Sequence, residues 1–314
     1  MNLLMKKKII VTGATGLIGK KLCDELILKG NDVIIFTRNV FSAKKTIPNA
    51  NDYIEWDYTK PEIWKQHIEG KDAVIHLAGA SVAGKRWNDE YKSVIRDSRI
   101  VSTKNLAEAI VQCTAKPKVF ITSSGSGYYG DRGNEILSEN DNDGKDFLPQ
   151  VCKDWESAAS LVESNGVRRA SIRTGIVLSN EEGALKKMLL PFKLFVGGHL
   201  GNGKQWFPWI HIDDIVNLYV HSIENESVNG AINASSSHQV TMKDFANTLG
   251  KVLKRPSLFP VPVLILKIVI GEVASEIISS QRLDVTKILK SGFKFRFEKL
   301  EDALNDLLLK NSVS

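Results

Sequence analysis

An α/β fold with a doubly wound parallel sheet is predicted by two patterns in the 314-residue chain. Near-continuous apolar runs of strand length alternate with segments of helical period, and a glycine cluster stands between the first such run and the first helix. In order, Lys8–Thr12 reads as a strand and Leu17–Lys29 as a helix whose Leu17, Ile18, Leu22, Leu26 and Ile27 share one face. Gly30 stands where a helix-ending glycine belongs, and Asp32–Thr37 reads as the second strand. A short run at Tyr53–Trp56 is followed by a strand at Ala73–Leu77, a long helix at about Asn88–Cys113 and a strand at Val119–Thr122. A helix at about Val151–Ser164 and a strand at Ala170–Thr174 complete the alternation. The polar stretch Asp131–Asp146 reads as a surface loop. Beyond Gly175 the pattern loosens, and helical period returns at Met242–Leu253, about Val263–Ile278 and Leu300–Leu309.

Composition excludes several classes. With 43% hydrophobic and 25% charged residues the chain can bury a core without staples. The longest suspicious apolar stretch, Val261–Ile270, contains Pro262 and Lys267, so no membrane span is expected. Met1–Lys8 is basic, but the apolar run after it is too short for a secretory signal. Cys23, Cys113 and Cys152 are odd in number and widely spaced, which fits a reducing, cytoplasmic setting and no disulfide framework. A net charge of +6, scattered along the chain, lacks the basic stripe that nucleic acid requires. The six histidines show no zinc spacing, so no metal is expected, and in His211-Ile212-Asp213-Asp214 an aspartate reads as a helix N-cap. Ser124-Gly125-Ser126-Gly127 lacks the nucleophile elbow of hydrolases.

The sequence Gly13-Ala14-Thr15-Gly16-Leu17-Ile18-Gly19 carries the chemistry. Its glycines permit a tight turn, let a pyrophosphate approach backbone N–H groups at a helix start, and let helix and strand pack closely. Placement between strand and helix makes this a dinucleotide site of Rossmann type. An NAD site would carry a carboxylate at the end of the second strand, where this chain reads Phe36-Thr37-Arg38-Asn39. Arg38, with Lys44 or Lys45 as auxiliaries, suits a 2′-phosphate, so NADP is the expected cofactor. Residues 1–235 are expected to form the NADP-binding domain, with a substrate-region insertion at about 176–208, and residues 236–314 a smaller, mostly helical substrate or lid region.

With that loop, His76-Leu77-Ala78-Gly79-Ala80, and Thr122-Ser123-Ser124 followed by Gly127-Tyr128-Tyr129-Gly130-Asp131, the chain resembles the extended short-chain dehydrogenase/reductase superfamily. Lys85-Arg86-Trp87, Asp97-Ser98-Arg99, Arg173-Thr174-Gly175-Ile176-Val177-Leu178 and Trp209-Ile210-His211-Ile212-Asp213-Asp214 are similar to an atypical branch, the epimerase family, whose uncharacterised C-terminal domain Val240–Leu308 resembles. The resemblance implies that Gly13, Thr15, Gly16, Leu17, Ile18 and Gly19 cradle the pyrophosphate and that Arg38 holds the adenosine phosphate. It puts Asp57 near the adenine, Leu77, Ala78 and Gly79 beneath the riboses, Thr122 and Ser124 near the nicotinamide, and Arg173 toward the substrate.

One departure is plain: no tyrosine is followed four residues later by lysine, so the superfamily's acid–base pair is absent. Lys153 is expected to hold the ribose, with Tyr129 and its neighbour Tyr128 as stand-in proton donors and Ser124 bonding the reacting oxygen. Arg96 and Arg99 share a helix face, and Arg99 is the expected substrate cation of the two. Lys85, Arg86, Lys204, Trp87, Trp206 and Trp209 are further candidates for a substrate pocket. The resulting expectation is an NADP-dependent oxidoreductase or epimerase on a small polar substrate, nucleotide-linked ones included. Its alternative is a catalytically silent NADP-binding sensor or scaffold, and a homodimer is an open option.

Overall fold

A computed structural model describes residues 6–309, so most of Met1–Lys8 and the last five residues of the C-terminal region lie outside the described residues. Seven strands form the central sheet: β1 (Lys8–Thr12), β2 (Asp32–Thr37), β3 (Asp52–Glu55), β4 (Ala73–His76), β5 (Val119–Gly125), β6 (Arg168–Thr174) and β7 (Gly230–Ala234). Their order is β7-β6-β5-β4-β1-β2-β3, and every pairing is parallel. The order reverses beside β1, so a crevice opens at the carboxyl ends of β1 and β4, where this class binds its ligands.

The crossovers are α1 (Leu17–Leu28), α2 (Val40–Thr46), α3 (Asp89–Gln112), α4 (Phe147–Ser160), α5 (Gly183–Lys193) and α6 (Ile212–Glu224). On α1, Leu22, Cys23 and Leu26 are fully or nearly fully buried against the sheet. Each such aliphatic side chain contributes roughly 1.5–3 kcal/mol by leaving water. Gly30 follows α1 at φ +83°, the left-handed ending expected of it. Polar residues also bind the layers together. His76, fully buried on β4, bonds Thr12 Oγ1 at 2.6 Å and Ser102 Oγ of α3 at 2.9 Å. Burial, reinforced by the Arg99 charge, lowers its pKa from 6.5 to about 3, so folding requires the neutral ring. A group depressed in the folded state stabilises above its unfolded pKa and loses that contribution as pH falls toward the folded value. Urea midpoints should therefore drop between about pH 7 and pH 5, and His76→Gln should flatten that drop.

Four features differ from the sequence expectation. The helix α4 begins at Phe147, four residues before the expected Val151, because Pro149 sits in its first turn, where no intrahelical N–H is needed. The edge strand β7 was not expected, since Gly230 and the short run after it carry little strand signal. The apolar stretch after Pro262 is two helices, α8 (Val263–Ile270) and α9 (Val273–Ile277), split by Gly271 at φ +68°. The α6 cap is neither Asp213 nor Asp214: His211 is the N-cap and its Nδ1 accepts from Asp213 N at 3.0 Å. Asp214 instead turns inward and accepts from the backbone N–H groups of Arg296 and Phe297 at 2.7 and 3.0 Å, anchoring the C-terminal region.

That region also contains α7 (Met242–Leu253), α10 (Thr286–Lys290) and α11 (Leu300–Leu309). It is bound to the expected surface loop by a two-residue parallel pairing, Arg282↔Ile136 and Leu283↔Leu137. Among the described residues no helix is long and apolar enough to cross a membrane.

Candidate functional site

A cleft of about 450 Å³ opens at the carboxyl ends of β1, β2 and β4. Gly13, Thr15 and Gly16 form one side, Leu77, Ala78 and Gly79 another, and Arg38 stands exposed at the end of β2. Backbone geometry accounts for the glycines. Gly13 has φ +68°, and a side chain there would lie 2.7 Å from Ala78 N, so the first turn can close on the end of β4 only without one. At Gly19 a Cβ would collide with the Gly13 carbonyl and Ala14. Gly16 differs: only Gly13 O, at 3.4 Å, approaches its Cβ position, which otherwise faces open space. Gly16 is the N-cap of α1 and supplies no side-chain cap, and the first turn carries no acidic residue. The N–H groups of that turn therefore meet the cleft with the positive end of the helix dipole, the chemistry a pyrophosphate needs. Leu17 and Ile18 occupy the first turn itself, partly buried against the core.

The remaining expected site residues are distributed unevenly. Asp57 lies between the lining residues Trp56 and Tyr58, but its carboxylate accepts from Thr59 N and Oγ1 at 3.0 and 2.7 Å, bonds that lower its pKa. Thr122 is fully buried, 3.0 Å from Ser171 Oγ, and supports the sheet beneath the site. Arg99 approaches the cleft from below: a Cβ on Gly79 would be 3.2 Å from its Cζ, and its guanidinium lies 5.2 Å over the Trp155 ring. It donates to Ile95 O at 3.0 Å and has no carboxylate partner among the described residues; burial lowers its pKa. Arg96, its partner on the helix face, is exposed and reaches Asp154 at 3.7 Å.

Four expected residues are engaged elsewhere. Lys153 points outward, its side chain half exposed and 3.2 Å from Asp143, because it stands one position around α4 from the face that meets β5. That face presents Leu148 and Cys152, four residues apart, against Gly127 and Gly125. Tyr129 is fully buried, donates to Asn233 Oδ1 at 2.7 Å and accepts from Arg173 Nη1 at 2.8 Å, and burial pushes its pKa up to about 12. Arg173 is 3% exposed, and four of its five N–H donors are engaged within the protein. It forks onto Glu156 with two bonds of 2.8 Å, lies 3.4 Å over the Tyr128 ring, and contacts Glu139 O at 3.2 Å. Burial works against the charged guanidinium, and the Glu156 carboxylate outweighs it, holding Arg173 above its ordinary value. Ser124 closes this network by donating to Glu156 Oε1 at 2.7 Å.

Sequence reading missed Glu156, the hub of that network, because its partners come from β5 and β6 and leave no local spacing. It also missed Asn39, Ser42, Val94 and Ser98 on the cleft wall. Among the described residues one group has metal-like spacing, His211, Asp213 and Asp306. Lys21 at 2.8 Å and Arg296 at 3.2 Å already pair with Asp213, so the group reads as an ion-pair network, and it shares no residue with the cleft lining.

A second cavity, of about 660 Å³, adjoins the first. Ala80 lines one and Ser81 the other, and a Cβ on Gly183, in the second, would lie 3.4 Å from Leu17 Cδ2 at the start of α1. Trp206, Lys85 and Arg86 line this second cavity, whereas Trp209 is fully buried and donates to His238 O at 3.3 Å.

A glycine-cradled cleft at the switch point of an all-parallel seven-stranded sheet defines a Rossmann-type nucleotide-binding protein. The chain belongs to the NAD dependent epimerase/dehydratase family: residues 9–151 match that family, and residues 261–307 match a domain of unknown function, DUF1731. It is 37% identical over 95% of its length to the chloroplastic epimerase family protein SDR39U1 homolog of Arabidopsis thaliana, covering 86% of that protein. With the Bacillus subtilis epimerase family protein YfhF it shares 35% identity, over 96% of this chain and 97% of the relative. Among solved structures, human epimerase family protein SDR39U1 with NADPH superposes with a TM-score of 0.86 at 29% identity, covering 96% of this chain and 98% of that one.

Proposed function

We propose that the protein is an NADP(H)-dependent oxidoreductase or epimerase-like enzyme in which residues 1–235 hold the cofactor and residues 236–314, with the 176–208 insertion, close over the substrate. The observation that carries the cofactor choice is Arg38, exposed on the cleft rim at the end of β2 where a carboxylate would select NAD. The NADPH in the human relative's structure supports the same reading. When bound, the nicotinamide supplies or takes the hydride. The chain's own residues bind and orient: Gly13, Thr15 and Gly16 at the pyrophosphate, Leu77, Ala78 and Gly79 at the riboses, and Arg38 at the 2′-phosphate. Arg99, a cation without a carboxylate partner beside Gly79, takes the ribose-side role that the superfamily gives to lysine. A reducing, cytoplasmic setting agrees with three free, buried cysteines.

Arg38→Ala should weaken NADPH binding by about tenfold or more and leave NADH unchanged, as expected for losing one charge-assisted contact to phosphate. Equal losses for both cofactors would remove Arg38 as the selector. Arg99→Met should likewise weaken NADPH by about tenfold, whereas Lys153→Met should not; the reverse result would restore the role to Lys153.

A silent cofactor sensor is the second reading, favoured by the engagement of Tyr129 and Lys153 away from the cleft. A panel of carbonyl and hydroxyl substrates that leaves NADPH unoxidised and NADP unreduced would support it.

A further inference from the structure

The cavity beside the cleft has a wall unlike that of a sugar site. Ile176, Met188, Phe207, Val269, Val273 and Ile277 make it apolar, and the carboxyl facing in is Glu276, which burial, then Asp146 and Glu272, raise to about 7. Cations stand at its edge. Lys85 and Lys187 are exposed and have no ion-pair partner among the described residues, while Arg86 is held by Ile268 O at 3.2 Å. The surroundings carry the same signature. Residues 183–204 and 246–271 together contain eight lysines and arginines and no aspartate or glutamate. The same two stretches expose large apolar side chains: Leu190 61%, Leu194 62%, Leu258 74%, Leu264 70%, Ile268 64% and Val269 64%. They are joined by backbone bonds from Phe259 N to Gly197 O and from Val261 N to His199 O, so the two stretches lie side by side there. Exposed apolar side chains in such number beside a cavity mark a binding region. With Lys85 and Lys187 at the cavity and further cations in the same two stretches, it suits a ligand that is apolar along its body and anionic at one end.

We propose that this cavity is the substrate chamber of the same enzyme and takes an amphipathic anion, an apolar chain or ring system ending in a carboxylate or phosphate. The inference rests on reading the adjoining cleft as the NADP(H) site, and it moves the expected substrate away from a small polar, nucleotide-linked one. A sugar nucleotide would bring many hydroxyl groups into a wall with few partners, each lost hydrogen bond disfavouring entry. An apolar body leaves water there without that loss. Lys187 and Lys85 then hold the charged end at the rim, where their ammonium groups remain partly hydrated.

The test uses the full chain saturated with NADPH and decanoate as the probe, with binding followed by titration calorimetry and NADPH affinity measured separately on every variant. Decanoate is expected to bind saturably, and to lose about tenfold or more in affinity in Met188→Trp, which fills the cavity, and in Lys187→Glu, which reverses the rim charge. Neither variant should alter NADPH affinity. Decanol should be insensitive to Lys187→Glu but lost in Met188→Trp. Decanoate failing to bind a protein that binds NADPH, or UDP-glucuronic acid binding more tightly than decanoate, would overturn the substrate class and leave the cofactor reading intact. Loss of decanoate binding in Leu264→Asp without loss in Met188→Trp would assign the ligand to the outer surface and overturn the chamber. Failure to bind NADPH would overturn the underlying reading, and the proposal with it.

Discussion

Gly16→Val is expected to leave the protein folded and to weaken NADPH binding by roughly a hundredfold or more, the equivalent of two lost bonds to charged phosphate. The two halves of that expectation have separate causes. Gly16 has an ordinary negative φ of −80°, and its Cβ position meets nothing closer than Gly13 O at 3.4 Å, so the backbone tolerates a side chain. The space such a side chain would occupy is the approach to the first-turn N–H groups of α1. Gly19→Val should behave oppositely, because its Cβ would run into the backbone of Gly13 and Ala14. That variant should lose stability before it loses ligand. Circular dichroism and urea unfolding on both variants, beside an NADPH titration, separate the two effects. A Gly16→Val protein that binds NADPH normally would remove the glycine loop from the site.

Arg173→Met is expected to cost about 3–5 kcal/mol of stability, read as a shift in the urea midpoint, because it leaves Glu156 charged, 11% exposed and without its partner. It also strips Tyr129 Oη of a bond and removes the guanidinium from the Tyr128 ring. The double variant Arg173→Met with Glu156→Leu should recover part of that loss, since it removes the stranded carboxylate. NADPH affinity should change little in either protein, because Arg173 does not line the cleft. A small stability loss accompanied by a large drop in substrate turnover would return Arg173 to the substrate-contacting role that the family resemblance implies.

These contrasts mark what was legible in the sequence. The boundaries of β1 and β2 and the span of α7 coincide with the expected ones, because each element is bounded by its own glycine, polar cap or turn residue. The placement of the glycine loop and of Arg38 on one cleft was legible for a similar reason: a strand, a turn and a helix start are contiguous in the chain, so they form a local pattern. The Ser124–Glu156–Arg173–Tyr129 network was not, since its members are 5 to 49 positions apart and meet only when β5, α4 and β6 stack. A candidate read on one strand, such as Arg173, looks available until the helix that neutralises it is in place. The outward turn of Lys153 follows from helical phase: it stands one position after Cys152, which packs against Gly125, and one position rotates a side chain about 100° around the axis. Lys85, Arg86 and Trp206 of the second cavity were legible as pocket candidates, but its apolar wall was not, because it combines residues from α5, α8 and α9 that meet only in the folded chain.

The central claim, an NADP(H) site built from the glycine loop and Arg38, is tested most directly by titrating the purified protein with NADPH and with NADH while following dihydronicotinamide fluorescence. Saturable NADPH binding with NADH at least about tenfold weaker is the predicted result, in line with one additional charge-assisted phosphate contact. Equal affinities, or no binding of either cofactor, would contradict it.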